Sequence, residues 1–180
     1  MRKITLPPRL DRFDAHFDHV WEHVRGNPAI DRVFYTASEI GDFGMVWIAL
    51  AGVQGAVGSP IQTRHFLRIA AVLAAESIIV NGGIKSLFHR QRPEWEQDRP
   101  LHLRRPKTSS FPSGHASSAV TAAILLTDAN PILAPVWWTI AAVVAMSRVH
   151  VKIHHVSDVV GGIAVGAALG SLARAVVAVN

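Results

Sequence analysis

Cationic and histidine side chains occur in three short clusters, each beside an apolar segment of the chain. In chain order the clusters are Lys85 with Arg92-Pro93, then Pro112-Ser113-Gly114-His115, then Ser147-Arg148 with His154 and Asp158. Ammonium and guanidinium groups bind phosphoryl oxygens, and a histidine can act as a nucleophile or move a proton near neutral pH. If the fold brings the clusters together, they form a pocket in which a histidine attacks a phosphate.

The second cluster is typical of the start of a helix. Ser113, Gly114 and His115 open an apolar run of small residues, and the free backbone N–H groups at such a position favour an anion. Together with the cations of the other two clusters, this helix start predicts a phosphate-binding site that needs no metal ion.

The spacing within the first and third clusters indicates which of their residues act together. His154 and Asp158 are four residues apart, which on a helix lets the carboxylate hold one imidazole nitrogen and leaves the other free to attack. Lys85 and Arg92 are seven residues apart, about two helical turns, so both would face one ligand from the same side.

A zinc site is a rival interpretation of the third cluster. His150, His154 and Asp158 recur every four residues, and zinc takes histidine and carboxylate ligands. A metal site would leave the other two clusters unexplained. We therefore predict no metal ligands and no cofactor.

The three clusters together resemble the signature of the type 2 phosphatidic acid phosphatase family. That signature is Lys, six residues, Arg-Pro; then Pro-Ser-Gly-His; then Ser-Arg, five residues, His, three residues, Asp. The chain contains all three parts between Lys85 and Asp158, in the family's order and without a substitution.

The resemblance implies a role for each residue. His154 would be the nucleophile that forms a phosphohistidine, Asp158 would orient it, and His115 would protonate the leaving oxygen and later activate water. The phosphoryl oxygens would be bound by Lys85, Arg92, Ser113, Gly114 and Arg148.

Five apolar blocks predict an all-α integral membrane bundle with about five crossing helices. They cover residues 43–61, 66–84, 116–127, 132–146 and 156–178. A crossing helix needs about 20 residues, and the shorter blocks approach that length if the catalytic clusters lie at their ends. Five crossings would place all three clusters on one side. The alternative is a soluble protein with a buried helical core.

The segment before the bundle predicts amphipathic helices that lie along the membrane surface. Its apolar residues fall at three- and four-residue intervals: Leu10, Phe13, Phe17, Val20, Trp21 and Val24. Gly26-Asn27-Pro28 would end one helix and begin another. We expect residues 1–180 to form one domain, with helices in 1–42 and the membrane bundle in 43–178.

Three features of the bundle allow more specific expectations. Gly162, Gly166 and Gly170 form a small-residue stripe that permits close helix packing; we favour packing within the bundle, and a homo-oligomer is the alternative. Glu76 is ionisable inside an apolar block and is a secondary site candidate. The polar segment between Pro93 and Phe111 predicts a loop over the site whose basic residues meet anionic headgroups: Arg99, Arg104, Arg105 and Lys107.

The composition of the chain limits the classes of partner that it can bind. The chain carries 18 Lys and Arg against 13 Asp and Glu, and phosphate chemistry at a membrane explains this excess better than nucleic acid, for which no motif is present. The chain has no cysteine, which excludes disulfides and thiolate catalysis. We predict an integral protein of the cell membrane, plasma or inner, that contacts membrane lipid and a lipid phosphate.

The sequence does not decide which side of the membrane carries the site. The distribution of Lys and Arg favours the cytoplasm, whereas the family resemblance implies a site facing away from it. Our leading hypothesis is a metal-independent phosphatase acting on phosphatidic acid, phosphatidylglycerophosphate, or a polyprenyl phosphate or diphosphate. The alternatives are a vanadate-dependent haloperoxidase and a noncatalytic membrane protein that binds phospholipid.

Overall fold

Helices make up the fold, together with an isolated β-bridge between Ile4 and Phe88, across the residues that the structure describes. In this computed structural model those residues are 4–57, 59–94, 103 and 106–177. The α-helices, numbered α1 to α8 in chain order, are Pro8–Trp21, Pro28–Ile40, Met45–Val57, Pro60–Ser77, Lys85–Leu87, Gly114–Ala129, Ala134–His150 and Val156–Val176. A π-helical segment, Ile78–Ile84, joins α4 to α5.

The boundary between α1 and α2 follows from local chemistry. Gly26 adopts φ +85°, a left-handed conformation that favours glycine. The Asn27 side chain then accepts hydrogen bonds from the backbone N–H groups of Ala29 and Ile30, at 3.0 and 3.3 Å, and Pro28 occupies the first helical position. The predicted break at Gly26-Asn27-Pro28 between two N-terminal helices is confirmed.

Helix α6 lies at the centre of the bundle and packs against α4, α7 and α8. Ten of its 16 residues are buried, most of them Ala, Ser or Thr. Its closest neighbour is α8, where a Cβ at Gly162 or Gly166 would stand 2.3 Å from a backbone carbonyl oxygen of α6. The glycine stripe therefore serves packing within the bundle, as we favoured.

The bundle has the surface of a membrane protein. Within the described part of the chain, three helical stretches are long and apolar enough to cross a membrane: Pro60–Leu87, Pro131–His150 and Val156–Val176. Helix α3, with 13 residues, and α6, with 16, are shorter. Large apolar side chains such as Ile78 and Leu172 are exposed, which suits contact with lipid tails. The predicted all-α membrane bundle is confirmed.

The order of the helices places the three clusters at one end of the bundle. The end of α5, the start of α6, the end of α7 and the start of α8 meet: the Ser113 N–H donates to Asp158 O at 2.9 Å, and the charges of Arg148 and Asp158 act on Lys85. Helices α1 and α2 pack beside this end, against α8 and α7 respectively.

Candidate active site

His154 lies at the centre of the site, in the turn between α7 and α8. Its side chain is 2% exposed, with Nδ1 3.5 Å from Asp158 Oδ2 and Nε2 3.2 Å from Arg92 Nη1. The expected pairing with Asp158 is present, but the reason we gave for it is wrong. Helix α8 begins at Val156, so His154 precedes the helix, and the turn brings its ring back over the helix start.

Asp158 is fully buried and is held by several donors. Its Oδ2 accepts hydrogen bonds from Ser110 Oγ at 2.6 Å and from the His155 backbone N–H at 2.9 Å, and its Oδ1 accepts one from Arg90 Nη1 at 2.6 Å. Sequence reasoning missed both Ser110 and Arg90. Arg90 is a third cation within the Lys85–Arg92 cluster, which is the signal that could have identified it.

Arg92 connects His154 to the loop that follows Arg92 in the chain. Its Nε donates to Pro106 O at 3.0 Å and its Nη2 to Thr108 O and Ser109 O at 3.2 and 3.3 Å. Its Nη1 donates to Ile153 O at 3.0 Å. Since Arg92 donates to these carbonyl groups, one or more of these hydrogen bonds must be broken before Arg92 can donate to phosphoryl oxygens.

Lys85 and Arg92 do not lie on two turns of one helix, because α5 ends at Leu87 and the chain continues in a non-helical conformation. Both nevertheless line a cavity of about 720 Å³. Lys85 is 6% exposed, and the charges of Arg92, Arg148 and Glu76 all act on it. Glu76, expected as a secondary candidate, is therefore buried beside the site.

The second cluster forms a helix start, as predicted. Ser113 is the N-cap of α6: its Oγ accepts the Ala116 N–H at 3.4 Å, and its own N–H donates to Asp158 O at 2.9 Å. Gly114 opens the helix, and a Cβ there would stand 2.8 Å from Asn81 Oδ1. A larger residue at position 114 would have to displace the Asn81 side chain, which lies on the π-helical segment.

His115 and Arg148 extend the site towards α2. His115 Nε2 lies 3.0 Å from Asp42 Oδ1, and the charge of Arg148 acts on the same ring. Arg148 is 2% exposed; its Nη1 donates to Ser38 O at 3.2 Å and also contacts Ser38 Oγ. Sequence reasoning missed Asp42, which has no spacing relation to the clusters.

The geometry does not assemble the rival zinc site. His150 Nε2 lies 2.8 Å from Asp31 Oδ1, and His150 Nδ1 accepts a hydrogen bond from Trp21 Nε1 at 3.2 Å. Both of its ring nitrogens therefore face α1 and α2 rather than His154. Over the described ranges, no cluster of three or more His, Asp or Glu side chains could hold a metal ion.

The surroundings of His154 favour its neutral form. Burial of the ring and the positive charge of Arg92 lower the pKa of His154 well below its ordinary value, against the opposing effect of Asp158. A neutral imidazole has a free lone pair, which makes it the nucleophilic form. With the cations around it, the arrangement can transfer a phosphoryl group to Nε2 and neutralise its charge.

Part of the predicted basic loop lies outside the described residues, namely Arg99, Arg104 and Arg105. Lys107, which the structure does describe, is exposed and lines the same cavity as Lys85. The described end of the loop therefore adds a further cation to the cavity.

The chain matches known proteins along most of its length. A family model described as the PAP2 superfamily matches residues 66–180. Decaprenylphosphoryl-5-phosphoribose phosphatase of Mycobacterium tuberculosis is 35% identical over 143 residues, which cover 77% of this chain and 76% of the relative. The protein of the same name from Mycolicibacterium smegmatis is 33% identical over 151 residues, covering 83% of this chain and 80% of the relative.

A solved structure supports the fold. The transmembrane PAP2-type phosphatidylglycerolphosphate phosphatase from Bacillus subtilis superposes with a TM-score of 0.73 at 23% identity, covering 94% of this chain and 86% of that one. The family model spans more than half of the chain, and the mycobacterial relatives are phosphatases by name. This chain therefore belongs to the PAP2 superfamily, as the three clusters predicted, and is a membrane-embedded lipid phosphatase of that type.

Proposed function

We propose that this phosphatase removes a terminal phosphate from a lipid carrier through a phosphohistidine on His154, without a metal ion. The observation that carries the proposal is the placement of His154 between Asp158, 3.5 Å from Nδ1, and Arg92, 3.2 Å from Nε2. One nitrogen faces a carboxylate, and the other faces a cation that attracts an anionic phosphate. Arg92 must release the Nε2 lone pair before that lone pair attacks phosphorus.

The reaction takes two steps. His154 Nε2 forms a bond to phosphorus while the bond from phosphorus to the leaving oxygen breaks, and protonated His115 gives its proton to that oxygen. Water then attacks the phosphohistidine, His115 takes its proton, and the N–P bond breaks to release inorganic phosphate. Asp158 holds the Nδ1 proton throughout and stabilises the positive ring of the intermediate.

The phosphoryl oxygens are bound in this proposal by the cations and the start of α6: Lys85, Arg92, Ser113, Gly114 and Arg148. Lys85 and Arg148 are buried beside the nucleophile, where charge acts strongly. The Ser113 hydroxyl already caps α6, so its contribution is to hold the helix start in place. The direct donors are the backbone N–H groups of Gly114 and His115, since the Ser113 N–H already donates to Asp158 O and the Ala116 N–H to Ser113 Oγ.

We propose a polyprenylphosphoryl pentose 5-phosphate as the substrate class. The mycobacterial relatives named for such a substrate match this chain at 33–35% identity over roughly four fifths of its length. The likeness to the phosphatidylglycerolphosphate phosphatase, at 23% identity, supports the fold alone. We also propose that residues 1–180 act as one domain in the cell membrane; the homo-oligomer stays a prediction.

The nucleophile is tested by His154→Ala in purified, detergent-solubilised protein. We expect loss of phosphate release and of the ³²P-labelled enzyme intermediate, whereas His19→Ala, which changes an exposed histidine on α1, should retain both. Full turnover by His154→Ala would overturn the nucleophile. Loss of activity after thorough chelation, restored by a metal ion, would overturn the metal-independent reaction.

A substrate panel tests the lipid class. It contains a polyprenylphosphoryl pentose 5-phosphate, phosphatidylglycerophosphate, phosphatidic acid, a polyprenyl diphosphate and a soluble phosphoester, assayed at equal detergent-to-lipid ratios. We expect the highest kcat/KM for the first. A preference for another lipid would reject the substrate class and leave the reaction intact, whereas turnover of the soluble ester alone would reject both.

A further inference from the structure

Arg90 lies in the chain between two predicted phosphate-binding cations, yet its own contacts are to carboxylates. Its Nη1 donates to Asp158 Oδ1 and to Ser157 Oγ, both at 2.6 Å, and its Nη2 contacts Asp14 Oδ2. The side chain is 8% exposed. A buried arginine shared by two carboxylates holds both in fixed positions, because its guanidinium is planar and its donors are rigid.

Asp14 brings the N-terminal helix α1 into this network. It is 4% exposed; its Oδ1 accepts the Ser157 backbone N–H at 2.8 Å, and its Oδ2 accepts the Ser157 hydroxyl at 2.7 Å. Ser157 lies in the first turn of α8, where backbone N–H groups lack helical partners and a negative charge is stabilising. Asp14 therefore attaches α1 to the end of α8 that carries Asp158.

The network acts on the half of Asp158 that faces away from the nucleophile. Oδ2 is the oxygen nearest His154 Nδ1, and it also receives Ser110 and the His155 N–H. Oδ1 receives Arg90. Because the two oxygens belong to one rigid carboxylate, fixing Oδ1 fixes the direction from which Oδ2 meets the imidazole.

We propose that Asp14 and Arg90 are positioning residues for the phosphatase reaction, so that docking of α1 completes the active site; this rests on the role of His154 in the proposed function. Together they fix the Asp158 carboxylate and hence the aim of His154 Nε2. Asp14 also offsets the positive charge of Arg90, so Asp158 keeps its negative charge beside a ring that becomes positive when it is phosphorylated.

The decisive variant is Asp14→Asn, with Asp11→Asn as its matched control. Asp11 lies one turn earlier on α1 and reaches the same Arg90 Nη2 from 3.4 Å, but its side chain is 70% exposed, so solvent screens its charge. We expect Asp14→Asn to slow formation of the phosphoenzyme about 10- to 100-fold, as loss of an orienting partner does, with KM little changed. Asp11→Asn should stay close to wild type.

A merely structural role for Asp14 would not move the pH profile. Asp158, Arg92 and Arg148 are the charges that face the His154 ring, and Asp14 acts on it through Arg90. Removal of the Asp14 charge leaves Arg90 less compensated and makes protonation of His154 less favourable, so the acid limb of phosphoenzyme formation should move to lower pH. Ser157→Ala serves if Asp14→Asn does not fold: it keeps every charge but removes the hydroxyl shared by Asp14 and Arg90, and we expect a smaller fall in kcat with unchanged KM.

The outcomes separate the two proposals. Wild-type phosphorylation rates in folded Asp14→Asn, or in Ser157→Ala where Asp14→Asn does not fold, overturn the positioning role while an inactive His154→Ala leaves the nucleophile in place. Equal losses in Asp14→Asn and Asp11→Asn overturn it as well, since burial would then not matter. Full activity of His154→Ala overturns the proposed function itself.

Discussion

Replacement of Gly162 by alanine tests whether the close packing of α6 and α8 sets the geometry of the site. A Cβ at position 162 would stand 2.3 Å from the Ser113 carbonyl oxygen, and such contacts are essentially never closer than 3.0 Å. The helices must therefore separate by about 0.7 Å at this point. Ser113 starts α6, and Asp158 lies one turn before Gly162 on α8, so His115 moves relative to His154.

The expected loss follows from that displacement. A misplacement of about 1 Å between reacting groups costs about 100-fold in rate, so a shift of this size should lower kcat/KM about 10- to 100-fold. That corresponds to about 1.4–2.7 kcal/mol of transition-state stabilisation. The measurement is phosphate release in detergent from the best lipid of the substrate panel, with the melting temperature recorded for the same preparation.

Gly170→Ala on the same helix is the matched control. Its Cβ would stand 2.9 Å from Ile124 Cδ1, the end of a flexible side chain that can rotate away, and 3.2 Å from Thr121 Cα. The backbone contact is much less severe than the one at position 162, so activity should stay close to wild type. Wild-type kcat/KM in folded Gly162→Ala would refute the reasoning. Equal losses in the two variants would also refute it, because the contact with the α6 backbone would then not be the cause.

Three further predictions concern protonation and stability. Because the pKa of His154 is lowered, its ring should remain neutral at pH 6, where most of a freely solvated histidine is protonated. Measurement of the histidine rings by ¹⁵N NMR checks this expectation. Titration of His154 near pH 6.5 would contradict it. Arg68→Ala should destabilise the bundle by about 2 kcal/mol, since it removes a buried guanidinium that donates to the partly exposed Asp128 at 2.7 Å. Loss of the exposed Arg174, also bound to Asp128, should cost at most about 1 kcal/mol. Thermal unfolding measures both, and equal shifts would contradict the difference in burial. Asn27→Ala should cost about 1 kcal/mol and Asn27→Gly only a few tenths, read as melting temperatures; identical effects would show that the N-cap is not the cause.

The residue types and their order determined the family and the kind of chemistry. Within each of the three clusters, the spacing of the residues is a local property of the chain. The signature that contains Lys85, Ser113, His154 and Asp158 could therefore be read without a structure. The same holds for the helices, because apolar blocks of crossing length and an Asn27-Pro28 start depend on neighbouring residues. These features predicted an all-α membrane bundle with its chemistry at one end.

Helical periodicity, by contrast, gave the wrong reason for two contacts. Spacings of four and seven residues imply a shared face only where the helix continues, and α5 ends at Leu87 while α8 starts at Val156. Lys85 and Arg92 line one cavity, and His154 meets Asp158, because the chain leaves the helix and turns back. Apolar periodicity did not locate these two helix ends, so it could not show that the chain leaves the helix between the paired residues.

Only the tertiary structure decided which other side chains complete the site. Asp14 lies 144 positions before Asp158 and Asp42 lies 73 before His115, and no spacing rule connects residues at such separations. Their contacts arise because α1 packs on α8 and the end of α2 meets α6 through the Asp42 turn. The sequence by itself determined the family and the residues of its signature. Packing of distant helices decided which carboxylates and hydroxyls contact those residues, since burial and direction belong to the assembled bundle.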